Sequence, residues 1–145
     1  MTDTAPTPQD DTLIRSRLKD LAMALRQFHA ALLDKAREDY EFVHGKVQNP
    51  YELFNLVINH PDFQWLRPLS GLMATLDEVL DKKGVTLTAQ QVQDVTGALG
   101  ALFSQTEPAF AEFRKGYDAA KARPAVAQAD ARWREIRDGL NALSA

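Results

Sequence analysis

The chain has 145 residues, a formal net charge of −3 and no cysteine. A domain of this length buries roughly 70% of its unfolded surface, so a core can stabilise it without a metal or a disulfide. The lack of cysteine excludes thiolate zinc sites, iron–sulfur clusters and thiol nucleophiles. Charges of both signs are interspersed, and even the most basic stretch, 114–137, holds seven basic against three acidic side chains. We therefore expect no nucleic-acid partner.

Residues 1–10, MTDTAPTPQD, are polar and acidic and include two prolines. Such a composition cannot bury enough apolar area to offset the entropy of ordering, so we predict a flexible acidic tail followed by a single helical-bundle domain over 11–145. The tail lacks the basic and apolar regions of a secretory signal. No apolar run approaches the ~20 residues that cross a bilayer. We expect a cytoplasmic protein without a membrane partner.

Apolar residues at steps of three and four predict one long amphipathic helix from Thr12 to about Gly45. The stripe consists of Ile14, Leu18, Leu21, Leu25, Phe28, Leu32, Ala36, Tyr40 and Val43. Gly45 can adopt the left-handed conformation that ends many helices. A short second helix is predicted to run to about Asn59, with Asn49 as its side-chain cap and Pro50 at its first position.

Two prolines interrupt the segment His60–Ser70, which we call the elbow. Pro61 disfavours helical geometry at the residue before it. Pro68 would clash with the carbonyl of Gln64 if one helix ran through the segment. The elbow therefore predicts a break or kink before the next helix, which should stop near Gly84.

A further helix is predicted from Thr88 to about Phe103. Thr88 and Gln91 have the spacing of a capping box, in which each residue's side chain bonds the other's backbone N–H. The small residues of GALGAL, 97–102, lie within a helical period and follow no strand, which excludes a dinucleotide-binding loop. They predict a close helix crossing instead.

The remaining segment, 106–143, carries two apolar stripes separated by Pro124. The stripes consist of Phe110, Phe113, Tyr117 and Ala120, and of Val126, Trp133, Ile136, Leu140 and Leu143. Thr106 is the predicted cap. Either two helices or one long kinked helix fits this pattern, and we favour a kink or short break. No strand pattern occurs, so the predicted fold is an all-α, up-and-down helical bundle with a proline-defined elbow and a kinked long C-terminal helix.

The elbow is the first candidate site, through His60, Asp62, Phe63, Trp65 and Arg67. Aromatic and arginine side chains dominate interface hot spots, so these residues could bind a ligand or a partner. The alternative is that the aromatic side chains fill the corner where the chain turns. We favour this packing role.

The second candidate is a metal site at Glu41 and His44. The Glu-x-x-His spacing places both side chains on one helix face, as in carboxylate-bridged di-iron bundles. Those bundles need a second copy of the unit, which this chain lacks, although Asp77, Glu78 or dimer symmetry could complete a site. A solvated last turn is the favoured interpretation, and we expect no cofactor. His29 is predicted to be a partly buried, hydrogen-bonded histidine.

The run HPDFQWLRPLSGLMATLDE, residues 60–78, resembles a segment of small bacterial all-helical proteins of unknown function. The resemblance implies a bacterial cytoplasmic origin and no particular activity.

These observations favour a non-enzymatic interaction or scaffold protein, which binds a protein partner or forms a homodimer through an exposed part of a long helix. The alternative is a small-molecule or metal-binding bundle that uses the elbow or the Glu41/His44 turn. An enzyme is less favoured, because the sequence contains no Gly-x-Ser-x-Gly motif and no cysteine nucleophile.

Overall fold

The computed structural model describes residues 8–82 and 84–144, which form six α-helices and two short 3₁₀ helices. The α-helices are α1 (Pro8–His44), α2 (Pro50–Asn59), α3 (Arg67–Asp81), α4 (Ala89–Phe103), α5 (Ala111–Ala120) and α6 (Pro124–Ser144), and the 3₁₀ helices are Pro61–Leu66 and Pro108–Phe110. These ranges contain no strand, which confirms the all-α prediction. None of their helices is long and apolar enough to cross a membrane.

Four helices form the bundle, because α1 and α4 each pack against both α3 and α6. Arg15, near the start of α1, donates to the carbonyl of Leu80 at the end of α3, at 3.0 Å. Glu38, near the end of α1, pairs with Arg123 just before α6. These contacts show that α3 and α6 each run antiparallel to α1. The short connection between α3 and α4 reverses the chain again, so the helices run up, down, up and down.

The core follows the predicted apolar stripes. Its largest fully buried side chains are Trp133, Phe28, Phe63, Phe113, Leu18, Leu21, Leu25 and Leu32. The stripe of the first helix is buried as far as Ala36 and Tyr40 is half-buried, but Val43 is 72% exposed. The bundle therefore does not cover the last turn of α1.

Local signals at the helix ends are confirmed. Gly45 has a φ of 92° and its N–H donates to the carbonyl of Glu41 at 2.9 Å. Asn49 caps α2 by accepting the N–H of Glu52 at 2.8 Å. Thr88 and Gln91 form both bonds of the capping box, at 2.9 and 3.2 Å. These caps depend only on nearby residues, which is why the sequence predicts them.

Two helix starts differ from prediction. α1 begins at Pro8, ahead of the predicted Thr12, while residues 1–7 of the predicted tail lie outside the described residues. The predicted cap at Thr106 is wrong, because its hydroxyl lies 2.9 Å from the Ser104 hydroxyl. The second 3₁₀ helix instead starts after Glu107 without a side-chain cap.

The two proline interruptions have different structures. In the elbow, the first 3₁₀ helix passes directly into α3, and Pro68 lies in the first turn, where its missing N–H is not needed. The C-terminal segment has a short break over 121–123, so α5 and α6 are separate helices. Pro124 begins α6.

The predicted close crossing at GALGAL is wrong. Gly97 and Gly100 are exposed, and a Cβ at either position would meet no atom within 4 Å. The close approach is at Gly116 of α5, where a Cβ would overlap the indole of Trp65. Trp65 therefore links the elbow to α5 through a contact that only glycine permits.

Candidate functional site

Three potential metal ligands converge where α1 ends and the elbow begins. One ligand atom from each of His44, His60 and Asp62 lies within 4.8 Å of the other two. Asp62 Oδ2 is 3.8 Å from His44 Nε2 and 3.7 Å from His60 Nδ1. We call these three residues the histidine cluster. It unites residues that the sequence assigned to two separate candidate sites.

Local backbone features hold the cluster together. His60 lies between α2 and the first 3₁₀ helix in an extended conformation, and its Nδ1 accepts the N–H of Asp62 at 3.1 Å. His44 occupies the last turn of α1. The Tyr40 ring packs against both imidazoles, with centroid distances of 4.6 Å to His44 and 5.1 Å to His60. This shared aromatic contact positions the two histidines side by side.

Glu41 lies outside the histidine cluster. One carboxylate oxygen accepts the N–H of Val47 at 2.8 Å, and the other lies 3.7 Å from Arg37. Asp77, which could have completed a site, pairs instead with Arg26 at 3.0 Å. The carboxylate next to His44 thus comes from Asp62, 18 residues along the chain, a juxtaposition that the Glu-x-x-His spacing could not predict.

The other three elbow residues make packing and capping contacts. Phe63 is fully buried in the core. Trp65 is half-buried, and its ring centroid lies 6.2 Å from that of Phe113. Arg67 donates to the carbonyl of Ile58 at 2.9 Å and so caps the end of α2. These contacts have the packing and capping character that favours a structural role for most of the elbow.

A second feature is an apolar surface that the sequence analysis missed. It consists of Tyr51 (76% exposed), Phe54 (62%) and Ile58 (43%) on the outer side of α2, and we call it the α2 surface. Phe42 (94%) and Val43 (72%) are also exposed, near the end of α1. The opposite side of α2 packs on the core through Leu53, Leu56 and Val57.

The sequence of α2, PYELFNLVIN, already contains the signal for this surface. A helix that covers a core is usually apolar along one stripe and polar elsewhere. α2 is apolar on both sides, yet none of its residues is buried. Only the caps and the length of α2 entered the prediction. Its apolar pattern on both sides was the signal that could have predicted an exposed apolar surface.

Two other grooves lie along the bundle. One, of about 610 Å³, runs between α3 and α4 and is mainly apolar, with Leu72, Val79 and Val95 among its lining residues. The other, of about 870 Å³, borders α1 and α3 and is charged. Both of its arginines already have partners within the chain, since Arg15 also donates to the Val85 carbonyl at 2.9 Å and Arg26 forms a salt bridge with Asp77.

His29 lies apart from the histidine cluster, within the bundle. Its Nε2 is 2.9 Å from Ser70 Oγ, and Ser70 donates to the carbonyl of Leu66 at 3.2 Å. Since the serine proton points to that carbonyl, we assign a proton to Nε2 of the imidazole. Burial lowers the pKa of His29 below its ordinary value of 6.5. The prediction of a partly buried, hydrogen-bonded histidine is confirmed.

The fold and these contacts define a four-helix bundle with an appended short helix, an apolar outer surface and a histidine cluster. Comparisons with protein-family models, with curated proteins and with solved structures found no match. The resemblance to small bacterial helical proteins therefore remains a prediction. Any functional assignment rests on the chemistry of the two features described above.

Proposed function

We propose that this protein is a helical-bundle interaction module, and that two copies associate through the α2 surface. The observation that supports the proposal is the exposure of Tyr51, Phe54 and Ile58 on one side of α2, at 76%, 62% and 43%. Apolar patches on soluble domains mark interaction sites, because exposing them to water is unfavourable. We therefore assign the predicted homodimer interface to the outer side of α2.

The size of the surface suits a small dimer interface. With about 200 Å² for each aromatic side chain, the exposed parts of Tyr51 and Phe54 provide roughly 280 Å² of mainly apolar area, and Ile58 adds to it. A standard interface buries about 800 Å² on each partner, with an apolar centre and a polar rim. The α2 surface could therefore supply such a centre, and the adjacent polar residues could form the rim.

Charge also favours a second copy as the occupant. The exposed positions of α2 are Pro50, Tyr51, Phe54, Asn55, Ile58 and Asn59, none of which is charged. The only charged residue in α2, Glu52, accepts the N–H of Gln48 at 3.1 Å and so bonds back to the preceding loop. Two α2 helices related by a two-fold axis would bring apolar side chains together without opposing like charges.

Sedimentation equilibrium over a range of protein concentrations tests the proposal. We expect the wild-type chain to approach twice its monomer mass of 16.2 kDa as concentration rises. The double variant Tyr51→Ser/Phe54→Ser should remain monomeric, because it removes the two largest apolar contacts of α2. It should also retain its helical content, since both side chains are exposed in the monomer.

Met23→Ser is the matched control. Met23 is 60% exposed, but it lies in the middle of α1, away from the α2 surface. This variant should associate like the wild type. A wild-type chain that stays monomeric at every concentration, or equal weakening by the control and the double variant, would contradict the proposal.

A further inference from the structure

We propose that the histidine cluster binds one divalent transition-metal ion of the zinc type. The inference is independent of self-association, because all three ligands come from one chain. It also reassigns the metal site that the sequence placed at Glu41 and His44. The new ligand set is His44, His60 and Asp62.

The spacing of the cluster is close to that of a coordinated ion. Zinc–nitrogen and zinc–oxygen bonds of about 2.0–2.2 Å place tetrahedral ligand atoms about 3.3–3.6 Å apart. The two distances from Asp62 Oδ2, 3.8 Å to His44 and 3.7 Å to His60, exceed that range slightly, and a ligand nitrogen of each imidazole lies within 4.8 Å of the other. All three side chains are partly exposed, between 28% and 48%, so small rotations can close the gap.

The tautomer of the His60 imidazole suits metal binding. Its Nδ1 accepts a backbone N–H from Asp62 at 3.1 Å, so in the neutral ring Nδ1 carries the lone pair and Nε2 the proton. This nitrogen is also the one that lies 3.7 Å from the Asp62 carboxylate. Coordination would exchange this hydrogen bond, which caps the first 3₁₀ helix, for a metal–nitrogen bond. The ring needs no change of tautomer.

The ligand chemistry selects the class of ion. Two imidazoles with one carboxylate suit Zn²⁺, Ni²⁺ or Cu²⁺, whereas Ca²⁺ and Mg²⁺ prefer oxygen ligands. Three protein ligands leave a fourth position for water or for a group from outside the chain. The exposure of the cluster gives an ion direct access from solvent.

The site would also connect two parts of the chain. His44 ends α1, and His60 precedes the first 3₁₀ helix, so a shared ion would close the segment 44–60 that contains α2. An ion that binds the folded but not the unfolded chain stabilises the fold in proportion to its concentration and affinity. Zinc should therefore raise the melting temperature of the protein.

Calorimetric titration with zinc chloride tests the inference, using the full chain without a histidine tag after removal of metals by a chelator. We expect one ion per chain. His44→Gln and His60→Asn should each weaken binding at least about tenfold, the lower limit seen for loss of outer-shell partners of metal ligands. Asparagine is chosen at position 60 because it can still cap the 3₁₀ helix.

Glu41→Gln is the matched control, because glutamine can still accept the N–H of Val47 while losing the charge. It should bind zinc like the wild type. The double variant Tyr51→Ser/Phe54→Ser should do so too, which separates this inference from the proposed self-association. Circular dichroism checks that each variant folds. If His60→Asn does not fold, His44→Gln decides, since His44 is an exposed residue in the last turn of α1.

Three results would overturn the inference: no binding by the wild type, unchanged affinity in His44→Gln, or equal loss in Glu41→Gln. Cobalt provides an independent measurement, because four-coordinate Co²⁺ has much stronger visible absorption than the hydrated ion. The wild type should develop that absorption and His44→Gln should not. Identical spectra for the two proteins would contradict the assignment.

Discussion

Two aromatic regions of this molecule use similar side chains in opposite ways. In the bundle, Phe28, Phe103, Tyr117 and Trp133 pack together with ring centroids 5.0 to 6.4 Å apart. At the end of α1 and along α2, the rings of Phe42, Tyr51 and Phe54 face solvent. The difference arises because α1, α4, α5 and α6 surround the first group, which we call the aromatic core. No element of the described chain buries the second group.

The polar environment of the two regions differs as well. Asp130 accepts bonds from Tyr117, Trp133 and Arg134 beside the aromatic core, at 2.5 to 2.9 Å. Burial, and then the hydrogen bond to Asp130, raise the pKa of the Tyr117 hydroxyl. The Arg134 guanidinium covers the Phe103 and Trp133 rings at 4.7 and 4.6 Å. Aromatic side chains at the bundle therefore have satisfied polar partners as well as apolar neighbours.

The largest expected effect compares Trp133 with Phe54 directly. Trp133→Ala should lower the free energy of unfolding by about 3–5 kcal/mol, because it empties a fully buried site. Phe54→Ala should change it by under about 0.5 kcal/mol at concentrations where the chain is monomeric. Urea unfolding followed by circular dichroism measures both. Similar losses in the two variants would mean that α2 packs within the monomer and that the two regions do not differ.

The contact that joins the elbow to the bundle should show the next largest effect. Gly116→Ala forces a methyl group against the Trp65 indole and should lower the free energy of unfolding by about 1–3 kcal/mol. Gly100→Ala, in open space on α4, should instead raise it by about 0.5–1 kcal/mol through helix propensity. Thermal unfolding of the pair provides the measurement. A stabilised Gly116→Ala would show that Trp65 does not hold the elbow against α5.

A smaller effect on the free energy of unfolding should distinguish Thr88, which precedes α4, from Thr106, which precedes the second 3₁₀ helix. Thr88→Ala removes the hydroxyl that accepts the Gln91 N–H, leaves the backbone bond from residue 88 to the Gln91 side chain, and should lower the free energy of unfolding by about 1 kcal/mol. Thr106→Ala should have an effect within about 0.5 kcal/mol, because this threonine caps no helix. Chemical denaturation tests the pair. Equal losses would restore the sequence-based assignment of Thr106 as a cap.

The smallest effect is a pH dependence that originates in the bundle. Since folding lowers the pKa of His29 below 6.5, the unfolded chain binds more protons below that pH. The free energy of unfolding should fall as pH drops from 6.5 towards the lowered pKa, with no contribution from His29 above 6.5. Arg123 lowers the pKa of Glu38 below 4.5, so this carboxyl group affects the free energy of unfolding only at more acidic pH.

His29→Gln tests this dependence, because glutamine can still donate to Ser70 but does not titrate. Denaturant unfolding at several pH values between about 5 and 7.5 should show a smaller decrease for the variant than for the wild type. The same slope in both proteins would show that His29 is not responsible for the dependence.

The sequence predicts those parts of the fold that depend on local chemistry. Asn49, Thr88 and Gly45 act at helix ends through residues within four positions, and each is found as predicted. Helical periodicity likewise identifies the buried stripe of α1. Contacts between distant segments have no such signal. The space around Gly116 and the exposure of Gly100 depend on how α5 and α4 are placed.

The candidate site shows the same division. Sequence analysis selected His44, His60 and Asp62 but assigned them to different sites, because their convergence depends on the turn between α1 and the elbow. It assigned Phe63 to possible binding, although that side chain is fully buried. Spacing within one helix can predict which side chains share a face. It cannot predict which face a neighbouring helix leaves uncovered.

Disulfide cross-linking tests the central claim, that the outer side of α2 pairs with itself in a second copy. The chain has no cysteine, so Asn55→Cys places a single thiol at the middle of the exposed side of α2. Under mild oxidation it should form covalent dimers much faster than Gln128→Cys, which is also an exposed position but lies on α6. Equal rates for the two variants, or no dimer from Asn55→Cys, would contradict the account.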